Sequence, residues 1–520
     1  MHLRPVIASV GLLAGSLVAL SGTTAQAATT RYEAETSPAV CAGAIESNWA
    51  GYSGSGFCNG DNATGGYAQF TVTASAAGTA TLEVRFANGT TSARAANLVV
   101  NGTTAGTASF EGTGAWNTWA TKTLTVPLRS GSNTVRLAPT TSGGLPNIDY
   151  VDVETSGSDP QPTGPVLYVS PGGTDSAAGT ESNPTTLTSA ISRISAGGTI
   201  YVRGGTYRYS QTVTIPAGRN GTSGDRTELF AYPGETPVLN FSGQSEDPAN
   251  RGLAVNASYW HVKGLVVERA GDNGIFVGGS NNVIERTVTR FNRDSGLQLS
   301  RALSSTPKDQ WPSHNLILSA ESHDNVDSDG EDADGFAPKL TVGPGNVFRY
   351  TVAHHNIDDG YDLYTKTDTG PIGAVTVEDS LAYDNGTLSD GSQAGNGDRN
   401  GYKLGGEDIG VNHIVRRSIA YQNGKHGFTY NRNTGAMQIS DNVSVGNEQR
   451  NFNFDSGSTS VFRNNTSCDS GSNDRIIGDS DSSNQFWSGS NGSRCSSYAG
   501  ALRWSFASDG RLVVTFGGSR

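Results

Sequence analysis

The segment Asn356-Ile-Asp-Asp-Gly-Tyr-Asp-Leu-Tyr364 recurs in altered form on both sides of itself. The same frame reads Asn400-Gly-Tyr-Lys-Leu404 one repeat later and Ala333-Asp-Gly-Phe-Ala337 one repeat earlier. When the glycines of the first two segments are aligned, Asp362 falls opposite Lys403. The chain therefore repeats a short unit in which acidic and basic side chains occupy equivalent positions.

Glycine followed by an alternating apolar strand recurs through this part of the chain. The glycines that open these strands are Gly274, Gly296, Gly335, Gly360, Gly401 and Gly427. The two shortest intervals are 22 residues, from Gly274 to Gly296, and 25 residues, from Gly335 to Gly360. Repeats of this length with several short strands predict an all-β, right-handed parallel β-helix. Ankyrin and leucine-rich repeats have similar periods but require helices, and no helical periodicity occurs here.

Side chains alternate between the two faces of a strand, which separates core from surface positions in these repeats. Tyr361 and Leu363 are expected to point into the core, so that Asp362 points outward. Tyr402 likewise points inward and Lys403 outward. Because neighbouring coils lie about 4.8 Å apart, Asp362 and Lys403 are predicted to be exposed neighbours on one sheet.

The first residues predict secretion. Residues 1–27 contain an apolar run from Val6 to Leu20, followed by the cleavage pattern Ala25-Gln-Ala27. This is typical of a secretory signal peptide, so the mature protein is expected to be extracellular. No later stretch is long and apolar enough to span a bilayer, and no membrane partner is expected.

The mature chain is predicted to contain two domains. Residues 30–155 alternate short strands with Gly/Asn/Ser turns, which predicts a β-sandwich, or jelly-roll, module. Residues 156–165 form a short linker rich in Pro, Gly and Ser. Residues 166–520 form the β-helix domain, and the protein is expected to be a monomer.

The four cysteines lie in two close pairs, Cys41 with Cys58 and Cys468 with Cys495. In an extracellular protein this predicts two local disulfides, one in each domain. A metal site is the alternative, but no C-x-x-C or Cys/His spacing supports it.

The formal net charge of −12 argues against a nucleic-acid partner, because no basic stripe offsets it. An anionic polysaccharide is not excluded, since bound calcium can invert the local field.

Asp334 of one repeat aligns with Asp359 of the next, and that second repeat carries two further aspartates close by. Four aspartates from two adjacent repeats are therefore predicted to lie together. The set is Asp334, Asp358, Asp359 and Asp362. Calcium prefers several carboxylate oxygens on a fairly rigid frame, and without a cation these groups would repel. The alternatives are a polar turn for the aspartates and a surface ion pair for Lys403. The shared register of the four aspartates and Lys403 favours a calcium site in a protein that acts on an acidic sugar polymer.

Longer motifs surround these residues. They are Asp334-Gly-Phe-Ala-Pro-Lys-Leu340, Asp358-Asp-Gly-Tyr-Asp-Leu-Tyr364, Asn400-Gly-Tyr-Lys-Leu-Gly-Gly406 and His426-Gly-Phe-Thr-Tyr-Asn431. Over about residues 165 to 500 the chain thereby resembles the pectate lyases of polysaccharide lyase family 9. The resemblance implies a catalytic calcium on the four aspartates and Lys403 as the base.

Further basic residues lie near this region: Lys339, Lys366 and Arg399. They are interpreted as outward or loop residues that bind uronate carboxylates, with a plain solvated role as the alternative.

The first domain carries a resemblance of its own. Its motifs are Tyr32-Glu-Ala-Glu35, Gly65-Gly-Tyr67, Trp116-Asn-Thr-Trp119 and Pro146-Asn-Ile-Asp-Tyr-Val-Asp-Val153. They resemble carbohydrate-binding module family 35, which implies a structural calcium on Glu33, Glu35 and Asp152 and a sugar contact at Asn147. Solvent-facing carboxylates are the alternative. Trp116 is interpreted either as a sugar-stacking residue or as a core tryptophan.

The sequence as a whole predicts a secreted, calcium-dependent pectate lyase with an attached carbohydrate-binding module. Its substrate would be pectate (polygalacturonate) or a related uronic-acid polysaccharide. One alternative is a β-helical glycoside hydrolase, which needs paired carboxylic acids rather than a lysine base. The other is a non-catalytic adhesin with structural calcium sites, which would give Lys403 no role.

Overall fold

The computed structural model describes residues 29–74, 78–129, 131–155, 164–507 and 509–517. The predicted signal peptide and residues 156–163 of the predicted linker lie outside the described residues. The chain divides into two compact units, Met1–Pro160 and Gln161–Arg520.

The first unit is a sandwich of two antiparallel sheets. One sheet has the strand order Gly43–Glu46, Phe57–Gly60, Asn147–Thr155, Gly78–Ala87 and Ala120–Leu128, with Thr29–Glu33 also paired to Asn147–Thr155. The other has the order Val40–Cys41, Ala68–Ala74, Gly131–Pro139, Arg94–Val100 and Thr103–Phe110. Alternate residues, such as Phe70 and Val72, fill the core between the sheets. The predicted disulfide Cys41–Cys58 joins the two sheets.

The second unit is built from three parallel sheets, to which successive coils contribute strands. The first sheet contains Val166–Val169, Thr199–Val202, Thr227–Ala231, Trp260–Lys263, Val283–Glu285, Leu316–Leu318, Asn346–Arg349, Val375–Glu378, Ile414–Arg416, Gln438–Ser440, Val461–Arg463 and Asp479–Ser480. The second contains Gly205–Arg208, Pro237–Asn240, Val266–Glu268, Val288–Arg290, Glu321–His323, Val352–His354, Leu381–Tyr383, Ile419–Tyr421, Val443–Val445 and Thr466–Cys468. The third contains Val213–Ile215, Leu253–Val255, Ile275–Val277, Leu297–Leu299, Phe336–Pro338, Tyr361–Asp362, Tyr402–Lys403, Phe428–Thr429, Phe452–Phe454 and Arg475–Ile476. The predicted fold, a right-handed parallel β-helix preceded by a β-sandwich, is confirmed.

Five aromatic side chains, four of them from the repeated Gly-aromatic motif, form a column of rings on the inner face of the third sheet. The rings belong to Phe336, Tyr361, Tyr402, Phe428 and Phe452, and all five side chains are fully buried. Neighbouring ring centroids lie 4.5 to 5.2 Å apart along this column. The stack fixes which residue of each coil faces inward, and therefore which residue faces out.

A ladder of buried asparagines runs along one turn of the β-helix. Each carboxamide donates from Nδ2 to Oδ1 of the next, at 2.7 to 3.0 Å, through Asn292, Asn325, Asn356, Asn385, Asn423, Asn447 and Asn451. Buried amides need such partners, because an unpaired one loses its hydration without compensation. The ladder therefore holds the turns in register.

Asn385→Ala is expected to lower the free energy of unfolding of the β-helix by about 2–4 kcal/mol. The substitution removes the acceptor that Asn385 Oδ1 offers to Asn356 N and Nδ2, and it removes the side-chain donor to Asn423 Oδ1, which keeps only the backbone N–H of residue 385. Chemical denaturation followed by circular dichroism measures the change. Gln393→Ala removes one exposed hydrogen bond and is the control, with an expected change within about 0.5 kcal/mol. Equal stability of the two variants would contradict a structural role for the ladder.

The remaining elements lie towards the ends of the β-helix or in its turns. The α-helix Leu187–Arg193 places Leu187, Ala190 and Ile191 in the core beside the first coils, and Thr186 Oγ1 accepts from Ser189 N at 3.2 Å. Short 3₁₀ helices span Lys308–Gln310 and Ser493–Tyr498. The predicted disulfide Cys468–Cys495 lies near the other end. A hairpin of Leu502–Phe506 and Leu512–Phe516 packs instead against middle coils, where Trp504 Nε1 donates to the Tyr383 hydroxyl at 3.0 Å and Ser319 Oγ donates to Gly510 O at 2.6 Å. Within the described ranges, no helix is long and apolar enough to cross a membrane.

Candidate active site

A cavity of about 510 Å³ opens on the outer face of the third sheet. Its floor includes Gln298, Asp362 and Lys403, which are outward residues of three strands in this sheet. Its walls come from the turns on either side and include Asp358, Tyr364, Lys366, Asp398 and Asn431. The cavity is therefore formed by the repeat that the sequence analysis identified.

Three aspartates meet where the strands of this sheet begin. The register pairs Phe336 with Tyr361, so that Asp334 and Asp359 occupy equivalent positions on adjacent coils. One carboxylate oxygen each of Asp334, Asp358 and Asp359 lies within 4.8 Å of the others. Asp359 N also donates to Asp334 Oδ1 at 3.2 Å. These residues form an acidic cluster that could hold a metal ion.

Asp362 and Lys403 complete the group. They are paired across neighbouring strands, as predicted, and the Lys403 Nζ atom lies 3.2 Å from Asp359 Oδ2 and 3.8 Å from Asp362 Oδ2. They differ from the prediction in exposure, since Asp362 is buried and the Lys403 side chain is only 11% exposed. The turn containing Asp398 and the ring of Tyr364, 5.4 Å from the Lys403 amine, account for this burial.

Lys339 also differs from the prediction. Instead of an outward or loop residue that is free to bind substrate, it is buried, with Nζ 2.7 Å from Asp334 Oδ2 and 3.3 Å from Asp362 Oδ2. Burial alone would lower its pKa, but these two carboxylates raise the pKa well above its usual value. Lys339 therefore acts as a fixed counter-ion within the cluster.

The other two predicted basic residues lie in different places. Lys366 is exposed and lines the cavity, where its amine can reach a substrate. The Arg399 side chain packs close to Gly386 and Gly424 and lies 3.7 Å from Glu448. The structure does not bring Arg399 into the cavity.

The acidic cluster is electrostatically unfavourable without a cation. Burial, together with the neighbouring carboxylates, raises the pKa of Asp334 and Asp358 well above its ordinary value. Burial also raises the pKa of Asp359 to about 6. Asp362 Oδ1 is buried and accepts no hydrogen bond, whereas the buried Asp359 Oδ2 has the Lys403 amine as its ion-pair partner at 3.2 Å. A carboxylate oxygen without a donor, beside other carboxylates, fits a hard divalent cation.

The same carboxylates act on Lys403. Burial lowers the pKa of its amine, but Asp362, Asp359, Asp358 and Asp334 together outweigh that effect and raise the pKa well above its usual value. With these charges unscreened, Lys403 stays protonated at neutral pH.

A sequence profile described as "Pel9A-like, right handed beta helix region" matches residues 167–466. This chain belongs to the Pel9A-like family. The family region contains every residue of the acidic cluster as well as Lys403. Family membership and the relatives below confirm the prediction of a polysaccharide lyase.

Several relatives share this region. Pectate lyase L of Paenibacillus polymyxa (strain SC2) is 54% identical over 323 residues, covering 62% of this chain and 72% of that protein. Pectate disaccharide-lyase of Dickeya chrysanthemi is 36% identical over 329 residues, covering 62% of this chain and 40% of that protein. The crystal structure of pectate lyase Pel9A is 30% identical, with a TM-score of 0.57, and covers 68% of this chain and 87% of that one.

The first unit matches a carbohydrate-binding module profile over residues 34–155. The matching profile is family 6, so the predicted membership of family 35 stays a prediction. Trp116 is half-buried against Gly89, with the Arg94 guanidinium 5.2 Å from its ring centroid. Asn147 is buried at the start of the last strand and pairs with Ala87.

The carboxylates of the module differ from the predicted set. Glu33 and Glu35 each have a buried Oε2 without a hydrogen bond. Asp152 instead forms an ion pair with Arg31 at 2.8 Å. Asp149 is fully buried, accepts from Ser53 N and forms an ion pair with Arg85 at 3.1 Å. Burial, with a contribution from Glu33 and Glu35, outweighs these contacts and raises its pKa to about 6. A bulge between Ile148 and Val151 breaks the alternation along this strand, which is why Asp149 was missed.

Sequence reasoning also missed Asp398, whose Oδ2 lies 3.1 Å from Lys403 Nζ. It lies in the long turn between Leu381–Tyr383 and Tyr402–Lys403, where strand periodicity gives no information. Its place two residues before the Asn400-Gly401 motif was the available signal.

Proposed function

We propose that this chain is a calcium-dependent pectate lyase that cleaves 4-linked galacturonan by β-elimination to unsaturated oligogalacturonates. The observation that carries the proposal is the contact of the Lys403 amine with the buried acidic cluster, on the floor of an open cavity. The names of the relatives, pectate lyase L and pectate disaccharide-lyase, support the same activity.

The cation is assigned to Asp334, Asp358, Asp359 and Asp362. The raised pKa values of Asp334, Asp358 and Asp359 fit a hard divalent ion with oxygen ligands, as does the buried Asp362 Oδ1, which accepts no hydrogen bond. A calcium held by these four aspartates would offset their charge and would supply Lewis-acid stabilisation of the negative charge that develops next to the uronate carboxylate when the C5 proton leaves. Lys339 supplies a fixed positive charge on the other side of the cluster.

Lys403 is assigned the role of base. Its neutral amine takes the C5 proton of the sugar, a double bond forms between C4 and C5, and the C4–O4 bond breaks. The leaving O4 oxygen then takes a proton from solvent. Lys366 is assigned to a uronate carboxylate at the rim, because its amine is exposed and lines the same cavity.

The cavity favours elimination over the two alternatives. A glycoside hydrolase needs two carboxyl groups about 5–9.5 Å apart across the scissile bond. Here one oxygen each of Asp334, Asp358 and Asp359 lies within 4.8 Å of the others. Lys339 contacts Asp334 and Lys403 contacts Asp359. A non-catalytic adhesin needs no lysine beside its cation site.

A direct assay tests the proposal. The purified chain is incubated with polygalacturonate, and both reducing ends and the ultraviolet absorbance of unsaturated uronates are recorded, with and without a chelator. The expected result is that both signals rise together and that chelation stops both. Reducing ends without absorbance would identify a hydrolase, and neither signal would identify a binding protein.

The module, residues 30–155, is proposed to hold the enzyme on insoluble pectic material. We also propose that the module has the carbohydrate specificity of family 35, with Asn147 and Trp116 as its sugar contacts. Glu33, Glu35 and Asp149 are proposed to surround a structural calcium. Secretion through residues 1–27 and a monomeric state complete the proposal.

Removing residues 1–155 is expected to leave turnover on soluble polygalacturonate within about twofold, because every residue of the acidic cluster lies in the second unit. Retention on insoluble pectin-rich particles should fall at least tenfold, since the module raises the local concentration of substrate. Pull-down and soluble assays on the same preparation measure the two effects. Loss of soluble activity by a folded protein would mean that the module contributes to the active site.

A further inference from the structure

The Lys403 amine has three carboxylate neighbours. Nζ lies 3.2 Å from Asp359 Oδ2, 3.8 Å from Asp362 Oδ2 and 3.1 Å from Asp398 Oδ2. Two of these groups belong to the proposed ligand set, so their oxygens are engaged when a cation is bound. Asp398 is the neighbour that stands outside that set.

Asp398 is itself held from both sides. Its Oδ1 accepts from Lys425 Nζ at 2.6 Å, and its backbone N–H donates to Asp358 Oδ1. Lys425 precedes the strand Phe428–Thr429, so it comes from the coil after Lys403. Lys425, Asp398 and Lys403 therefore form a line of alternating charge beside the cluster.

A lysine side chain must be held in place if its amine is to take a proton from one particular atom of the substrate. Its side chain has four rotatable carbon–carbon bonds, and fixing it costs up to about 2 kcal/mol of conformational free energy. A base that moves by about 1 Å loses up to about 100-fold in rate.

Resting on the proposed function, we infer that Asp398 is a positioning residue that holds the Lys403 amine towards the substrate, and that Lys425 orients Asp398. The carboxylate remains available while the aspartate ligands are occupied, because it is not one of them. It also remains a counter-ion when Lys403 has accepted a proton.

The test compares Asp398→Ala, Asp398→Asn, Asp398→Glu and Lys425→Ala in the full chain. Asp398→Ala is expected to lower kcat about 10- to 100-fold, with KM within about twofold and calcium affinity by titration calorimetry unchanged. The kcat of Asp398→Asn should lie between those of wild type and Asp398→Ala, and Asp398→Glu should recover part of kcat. Because Asp398→Asn is nearly isosteric, it serves as the folded variant if the alanine variant does not fold.

Two comparisons separate positioning from a general structural effect. Lys425→Ala should lower kcat by several-fold, and the double variant Asp398→Ala/Lys425→Ala should be no slower than Asp398→Ala alone, because both act through one contact. Asp408→Asn is the control, since Asp408 is exposed and pairs only with Arg432 among the described residues. Its kcat should be unchanged.

Unchanged kcat in Asp398→Ala, or a loss confined to KM or to calcium affinity, would overturn the inference. That failure is distinguishable from failure of the proposed function. If wild type forms unsaturated products and Lys403→Ala does not, the lyase proposal stands whatever Asp398→Ala does.

Discussion

Lys403→Ala is expected to lower turnover on polygalacturonate by roughly 10²- to 10⁴-fold, the range supplied by one general base. Lys403 lies on the floor of the cavity, and its amine contacts Asp359 and Asp362. The variant should bind calcium and substrate as well as wild type does, because the aspartates remain. Lys403→Arg should fail too, since a guanidinium does not release its proton near neutral pH.

The pH profile provides an independent reading of Lys403. Because the surrounding carboxylates raise the pKa of its amine, the reactive neutral form becomes more abundant as the pH rises. Wild-type kcat should therefore increase from pH 7 towards an alkaline optimum, and the residual rate of Lys403→Ala should lack that increase. Lys308→Ala, an exposed lysine outside the cavity, is the control with unchanged kcat. Near-normal turnover of Lys403→Ala with an unchanged profile would show that another group is the base.

Removing the cation is expected to abolish activity altogether. Asp362→Ala should reproduce chelation, with loss of measurable calcium binding by calorimetry and loss of turnover. Asp362 is buried, its Oδ1 accepts no hydrogen bond, and it lies beside both lysines of the cluster. Added calcium should restore the chelated wild type but not the variant.

Stability offers a second measurement of the same site. A cation that binds only the folded state raises the melting temperature by mass action, and Asp362→Ala should lose this rise. Asp368→Ala removes an exposed aspartate near the same turn and should retain it. If exhaustively dialysed wild type stays fully active in chelator, or if Asp362→Ala keeps normal calcium affinity, the assignment of the ligands is wrong.

The strands of the cavity floor were predictable from the sequence because one rule governs them. Alternation about the buried Tyr361 and Tyr402 places Asp362 and Lys403 on the outer face, and equal glycine frames place them side by side. This rule of alternation applies only to residues within a strand. Lys339 follows the last strand residue, Pro338, and there the turn decides its direction, which is towards Asp334 and not towards solvent.

The alternation of side chains along a strand also could not predict that the outward residues of this sheet are buried. An outward side chain on an open sheet is exposed, but here the turns beside the sheet rise around it. Asp398 shows the difficulty, because its contact with Lys403 depends on how a long turn folds back over the strand. No local pattern of residues encodes such a fold.

The spacing between adjacent coils of the β-helix sets the distance between the acidic ligands and the base. From Gly335 to Gly360 the chain runs 25 residues and from Gly360 to Gly401 it runs 41, yet each pair of segments lies on adjacent strands. Turns can therefore lengthen or shorten during evolution while the acid-to-base separation stays at one step of about 4.8 Å. The loops that shape substrate choice can therefore differ in length and sequence, except at turn residues such as Asp398 that contact the base.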